Sequence, residues 1–272
     1  MKIIVCVKQV PEISEVRINP ETGTLIREGV QSILNPFCEY GLDEAINIRR
    51  SLLAEGERVE IVAITMGPPQ AREALLRCIE LGADRATLLS DRKFAGADTW
   101  ATALTISEAI KQEGDFDLII AGKQAIDGDT AQVGPEIAEF LGMPQICYGV
   151  STEVDLKRRR IKVRKEGEKG LETAECHLPA VITMTKGAPS RRLPSFAELV
   201  DARSKPINML TADDLGGNPD RFGLIGSLTQ VAKIFPPRTK SGGQIIDGSD
   251  PDTAVDRLLN FLITRKFLTK EA

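Results

Sequence analysis

Between Ala121 and Pro135 the chain arranges Gly, Asp and Thr in a pattern suited to holding a phosphate. The preceding residues, 117–121, form a short apolar run that reads as a buried strand. The following residues, 136–141, have helical spacing. A glycine-bearing loop therefore joins the C-terminal end of a strand to the start of a helix. Unpaired backbone N–H groups converge at such a start, and the helix dipole favours an anion there. Asp127, Asp129 and Thr130 suit helix capping or the hydroxyls of a ribose, and Gly128 and Gly134 permit close backbone approach. The segment is not a P-loop, because no Gly-Lys-Ser/Thr follows its glycines and Lys123 precedes them. Nor is it the Gly-x-Gly-x-x-Gly of a dinucleotide fold. An ordinary strand-to-helix turn has the same composition.

Other chemistry is sparse. The one histidine, His177, falls inside an expected strand, where a structural role is the commoner one. No His or Cys spacing matches a zinc or iron–sulfur site. The five cysteines, Cys6, Cys38, Cys78, Cys147 and Cys176, are dispersed, which suits reduced thiols and a cytoplasmic location. Cys6 and Cys78 have apolar neighbours and are expected in the core. Any chemistry must come from a bound cofactor.

The elements that would position the loop are regular. Residues 3–7, 59–64, 85–90 and 117–121 read as buried strands, alternating with helices over 35–55, 70–81 and 98–113. That alternation predicts an α/β fold with a parallel sheet and helices on both faces. The loops 8–11, 35–38, 65–69 and 122–133 then meet at one edge, where ligands bind in such sheets. Residues 13–34 suggest a small hairpin. After Pro144 come expected antiparallel strands at 150–156, 160–165 and 171–177, then a buried strand at 179–184. Residues 187–194 read as a loop, 196–203 as a short helix and 252–266 as the last helix. The expected division is a nucleotide-binding domain over 1–190 and an extended C-terminal arm over 191–272, poor in core of its own, that packs either on another subunit or over its own sheet.

Composition bounds the partners. The chain has 272 residues, 42% of them hydrophobic, and a net charge of −4. That charge gives no general attraction to nucleic acid or anionic membrane. The run Lys157-Arg-Arg-Arg160 reads as a solvated hairpin. The first apolar run is a strand rather than a signal peptide, and none approaches a membrane span.

Several motifs together resemble the small (beta) subunit of the electron-transfer flavoproteins. They are Val5-Cys-Val-Lys-Gln-Val-Pro11, Asn35-Pro-Phe-Cys-Glu39, Thr65-Met-Gly-Pro-Pro69, Leu81-Gly-Ala-Asp-Arg85, the loop 122–134 and Leu178-Pro-Ala-Val181. The resemblance implies adenine-nucleotide contacts at Cys6, at Asn35, Pro36, Phe37 and Cys38, and at Met66. It implies further contacts at Gly122, Lys123, Gln124, Ala125, Ile126, Asp127, Gly128, Asp129, Thr130, Ala131, Gln132 and Val133.

One branch of that family holds AMP in this subunit, with a single FAD in the larger alpha subunit. The other binds a second FAD here, oxidises NADH and bifurcates the electrons. Gly226-Ser-Leu-Thr-Gln-Val231, followed by Phe235-Pro-Pro237, resembles the second branch, as does the Asp-Gly-Asp-Thr form at Gly128 and Thr130. The implied partners are an alpha subunit, an acyl-CoA dehydrogenase or reductase, and ferredoxin or flavodoxin. The alternative is a beta subunit holding AMP as a structural nucleotide. Around residues 192–203 the chain departs from the family's partner-recognition loop, with Phe196 where leucine is common. Arg191 and Arg192 could approach an anionic flavin. An ATP-hydrolysing enzyme on a related fold would need a Ser-Gly-Gly-x-Asp loop after the first strand. Ser241-Gly-Gly243 comes too late for that.

Overall fold

The computed structural model describes residues 1–12, 32–187, 193–216, 218–233 and 243–268. The chain begins with β1 (Lys2–Cys6), the short strands β2 (Gln9–Pro11) and β3 (Ser32–Leu34), and helix α1 (Pro36–Ala54). β4 (Glu60–Met66), α2 (Arg72–Leu81), β5 (Arg85–Leu89) and α3 (Thr99–Gln112) follow. Next come β6 (Leu118–Gly122), α4 (Val133–Leu141), β7 (Gln145–Asp155), β8 (Arg160–Gly167), β9 (Gly170–His177) and β10 (Ala180–Met184). α5 (Phe196–Ser204), β11 (Ile207–Leu210), α6 (Ala212–Leu215) and α7 (Pro251–Thr264) complete the order. Two compact units form, Met1–Lys233 and Ile234–Ala272.

Among the described residues, nine strands make one sheet in the order β11-β5-β4-β1-β6-β10-β7-β8-β9. The strands from β11 to β7 are parallel, and β8 and β9 continue antiparallel. Starting from β1, the chain steps outward through β4 and β5, then returns to β6 on the other side of β1. Parallel crossovers keep a right-handed path, so reversing the direction of travel moves the helices to the opposite face. The side chains bear this out. Ile3 and Val5 of β1 pack in one cluster with Leu42 of α1 and Leu75 of α2. Ile4 and Cys6 point the other way and pack with Ile106 of α3 and Ile137 of α4. Strand alternation supplies both sets. Each fully buried Ile or Leu contributes roughly 1.5–3 kcal/mol. The expected α/β class, with helices on both faces, is the one observed.

Three details differ from the sequence reading. β7 starts at Gln145 rather than at 150, and its first part pairs parallel with β10 before the strand joins the antiparallel arm. β11 adds a parallel edge strand that the sequence did not announce. α4 begins at Val133, three residues before the expected start, which shortens the loop ahead of it. Of the expected hairpin, residues 13–31 lie outside the described residues, and its two ends pair as β2 and β3. Residues 188–192 and 234–242 also lie outside them, with Arg191, Arg192 and Phe235-Pro-Pro237. Lys157–Arg159 fall in the exposed β7–β8 turn, as expected.

Gly122 closes β6 against the start of α1. A Cβ there would lie 2.7 Å from the Phe37 carbonyl carbon and 2.8 Å from the Cys38 amide nitrogen. Both are backbone atoms, so the helix itself must move. Gly122→Ala is expected to lower stability by about 1–3 kcal/mol, read as a lower urea midpoint with an unchanged slope.

Candidate nucleotide site

The strand ends of β4, β1 and β6 share one rim. Cys6 is in register with Ile64 of β4 and Ala121 of β6. The reversal of chain direction falls between β1 and β6, and ligands bind at that point in open parallel sheets. Asn35 holds the rim together. It is fully buried, and its amide stands beside the C-terminal end of β1, donating to the Lys8 carbonyl at 2.9 Å. Its side chain donates to the Gln124 carbonyl at 2.8 Å and to Cys38 Sγ at 3.2 Å, and accepts from the Ile126 amide at 3.1 Å. The 122–132 loop is thus fastened by a residue from the start of α1.

Beyond Ile126 the loop rises into a turn of unusual backbone. Asp129 and Ala131 both lie in the left-handed region, at φ 56° and 57°. Gln132 returns to right-handed helical angles. Such alternation directs successive amides into one concavity that attracts anions. The amides of Thr130, Ala131, Gln132, Val133 and Gly134 have no acceptor among the described residues. Among the described residues no side chain caps α4, whose N-cap position is Gln132. The expected capping by Asp127, Asp129 or Thr130 does not occur. Asp127 instead pairs with Lys8 at 2.8 Å, and Asp129 accepts from the Gln124 side chain. A helix start with five free amides and no capping carboxylate fits a phosphate group.

The electron transfer flavoprotein domain matches residues 22–215. Over 265 residues the chain is 43% identical to the Caffeyl-CoA reductase-Etf complex subunit CarD of Acetobacterium woodii, covering 97% of each. It is 46% identical over 247 residues to the electron transfer flavoprotein subunit beta of Clostridium acetobutylicum, covering 91% of this chain and 92% of that one. It is also 37% identical over 278 residues to Protein FixA of Sinorhizobium fredii, covering 100% of this chain and 95% of that one. The chain belongs to the electron-transfer flavoprotein beta-subunit family.

In this electron-transfer flavoprotein subunit the expected contact residues gather unevenly. Cys6, Met66, Asn35 and Gly122 sit on the shared rim. Pro36 opens α1, Phe37 lies edge-on to Tyr40 at 6.3 Å, and Cys38 is buried in the first turn. The Lys123 amide donates to the Met184 carbonyl, and its ammonium sits 5.1 Å over the Tyr148 ring. The Ala125 carbonyl accepts from the Asp129 amide, and Val133 packs against the second core cluster. Gly128 has open space around it, whereas a Cβ on Gly134 would press on Thr183. Burial, reinforced by Cys38, pushes the Cys6 thiol up to about 12. Burial also raises Cys38, against donors from Asn35, Lys8 and Gly122. Both thiols stay protonated near neutrality, which disfavours a nucleophilic role.

Sequence reasoning missed the corner beside the loop. Thr99 Oγ1 lies 3.1 Å from both Gln132 Oε1 and Glu136 Oε1. Glu136 Oε2 is buried without a partner among the described residues. Burial raises the Glu136 carboxyl, with the Thr99 hydroxyl opposing and the Asp98 charge reinforcing. Burial likewise pushes Asp98 up, but donors from Ala101, Thr229 and Leu228 outweigh it and leave Asp98 below the usual carboxylate range. In sequence, an aspartate at the head of a helix reads only as a cap. A concavity of about 570 Å³ on the β7–β8–β9 arm is lined by Arg158, Arg160, Lys162 and acids that pair with them, so it offers no comparable donor set.

Proposed function

We propose that this chain is the beta subunit of an electron-bifurcating flavoprotein, holding FAD at the β4–β1–β6 rim and pairing with a larger alpha subunit that carries its own FAD. The observation that carries the reading is the left-handed turn at Asp129 and Ala131 with five amides that have no acceptor among the described residues. Those amides would hold the diphosphate. Cys6, Met66 and residues 35–38 would wall the adenosine end, with Asn35 setting the loop. Bound FAD would supply the redox chemistry, taking hydride from NADH and passing one electron to ferredoxin or flavodoxin and one to the alpha-subunit FAD. The protein's part is to position the nucleotide and keep water from it.

The printed name of the Acetobacterium relative, a caffeyl-CoA reductase complex subunit, supports an acyl-CoA reductase or dehydrogenase as the final partner. Helix α7 supports a subunit contact: Val255, Leu258, Leu259 and Phe261 are all exposed, and none of its residues is buried. No described helix is long and apolar enough to cross a membrane. A cytoplasmic complex accords with free thiols and a charged surface.

The same amides would serve the single phosphate of AMP, which is the second reading. The complex of both subunits decides between them. Two FAD per pair, with both bleached by NADH, is the expected result. One FAD and one AMP per pair would replace it with the structural-nucleotide reading.

A further inference from the structure

We propose that Asp98 is a positioning residue for the bound nucleotide, fixing residues 226–231 as the side wall of the rim. The proposal rests on a nucleotide at this rim, and not on whether that nucleotide is FAD or AMP.

A helix cap needs one carboxylate oxygen. Asp98 Oδ1 fills that role, accepting from the Ala101 amide at 3.0 Å at the start of α3. The second oxygen is used 131 residues away. Oδ2 accepts from the Thr229 amide at 2.8 Å and the Thr229 hydroxyl at 2.9 Å. The Asp98 amide donates to Ser227 Oγ at 2.9 Å. The segment arrives by a tight path. Phe222 meets Phe94 edge-on at 5.6 Å, and the Leu224 amide donates to the Ala95 carbonyl. Gly223 has φ 58°, and a Cβ there would stand 2.1 Å from the Lys93 carbonyl oxygen.

Beyond Phe222 the segment buries little. Ile225, Leu228 and Val231 are all more than 70% exposed. Hydrogen bonds to the α3 start, rather than apolar packing, therefore hold residues 226–231 in place, and such segments open at low free-energy cost. The neighbouring residue completes the link. Thr99 reaches Gln132 and Glu136 at the start of α4, beside the five free amides. The dipeptide Asp98-Thr99 thus joins the 226–231 segment on one side to the anion-attracting turn on the other.

The test uses the two-subunit complex. Asp98→Ser keeps an N-cap oxygen for α3 but is too short to reach Thr229. Thr229→Val removes the hydroxyl and leaves the amide. Hydrogen exchange at residues 226–231 and the release rates of FAD and AMP from this subunit are measured together. Asp98→Ser should raise exchange there and speed release about tenfold or more, with Thr229→Val a few-fold. Alpha-subunit flavin and the melting temperature should stay near wild type. Unchanged exchange overturns the proposal, and so does raised exchange with unchanged release, which would make Asp98 a purely structural latch. The identity of the nucleotide released from wild type separately decides between the FAD and AMP readings.

Discussion

Asn35→Ala should lower the stability of the protein by about 2–4 kcal/mol and release the nucleotide from this subunit. The side chain is fully buried and serves two backbone groups of the 122–132 loop, the Gln124 carbonyl and the Ile126 amide. Alanine supplies neither partner. Each buried group left unpaired costs about 1–3 kcal/mol, more than the hydrogen bond itself contributes. In a chain of this size that corresponds to a drop of roughly 5–15 °C in melting temperature. Asn35→Asp separates the two contacts. It keeps an acceptor for Ile126 but sets a buried carboxylate oxygen against the Gln124 carbonyl, so at neutral pH it should be no more stable than alanine. Urea unfolding of the two-subunit complex gives the stability change, and acid extraction counts the retained nucleotide. An alanine variant within about 0.5 kcal/mol of wild type, with full nucleotide, would show that the loop holds its shape without this clamp.

The sheet's centre was legible because β1, β4, β5 and β6 are buried on both faces and therefore read as unbroken apolar runs. β11 was not, because only four residues, Ile207–Leu210, make it, and Asn208 and Met209 are exposed. Its strand character comes from pairing with β5, more than a hundred residues earlier. β7 was cut short in the reading because Tyr148, at φ 63°, and Gly149 interrupt its pattern where the register with β10 shifts. At the site, the loop's place between strand and helix was readable from residue types. The work done by Asn35 was not, since its partners lie 89 and 91 residues away. Glycine was the natural choice for the left-handed positions, yet Gly128 is not in that region, while Asp129 and Ala131 are. Residue type gives the permitted conformations, and the packed loop selects among them. Asp98 shows the same limit, because a capping signal in sequence cannot reveal what the second oxygen holds.

Ala131 gives the sharpest test of how the anion is held. At φ 57° an L-residue sits about 1–2 kcal/mol above its ordinary helical conformation. Alanine tolerates this because its side chain is one methyl. A β-branched side chain does not, since its second γ atom meets the neighbouring carbonyl in the left-handed region. Ala131→Val is therefore expected to drive the turn out of that region and to turn the amides of residues 131–133 apart. Hydrogen bonds to a charged group contribute about 1.5–3 kcal/mol each. Losing one weakens nucleotide binding at least about tenfold, and losing two about a hundredfold or more. Ala131→Gly does the reverse. It removes the strain but adds freedom to the unfolded chain, so stability should move by less than about 1 kcal/mol while the amides stay in place. The pair is read by titrating FAD and AMP into the stripped two-subunit complex, with alpha-subunit flavin as the folding control. Should valine bind either nucleotide as tightly as glycine does, the phosphate is not held by the amides of this turn, and the site must be sought elsewhere on the rim.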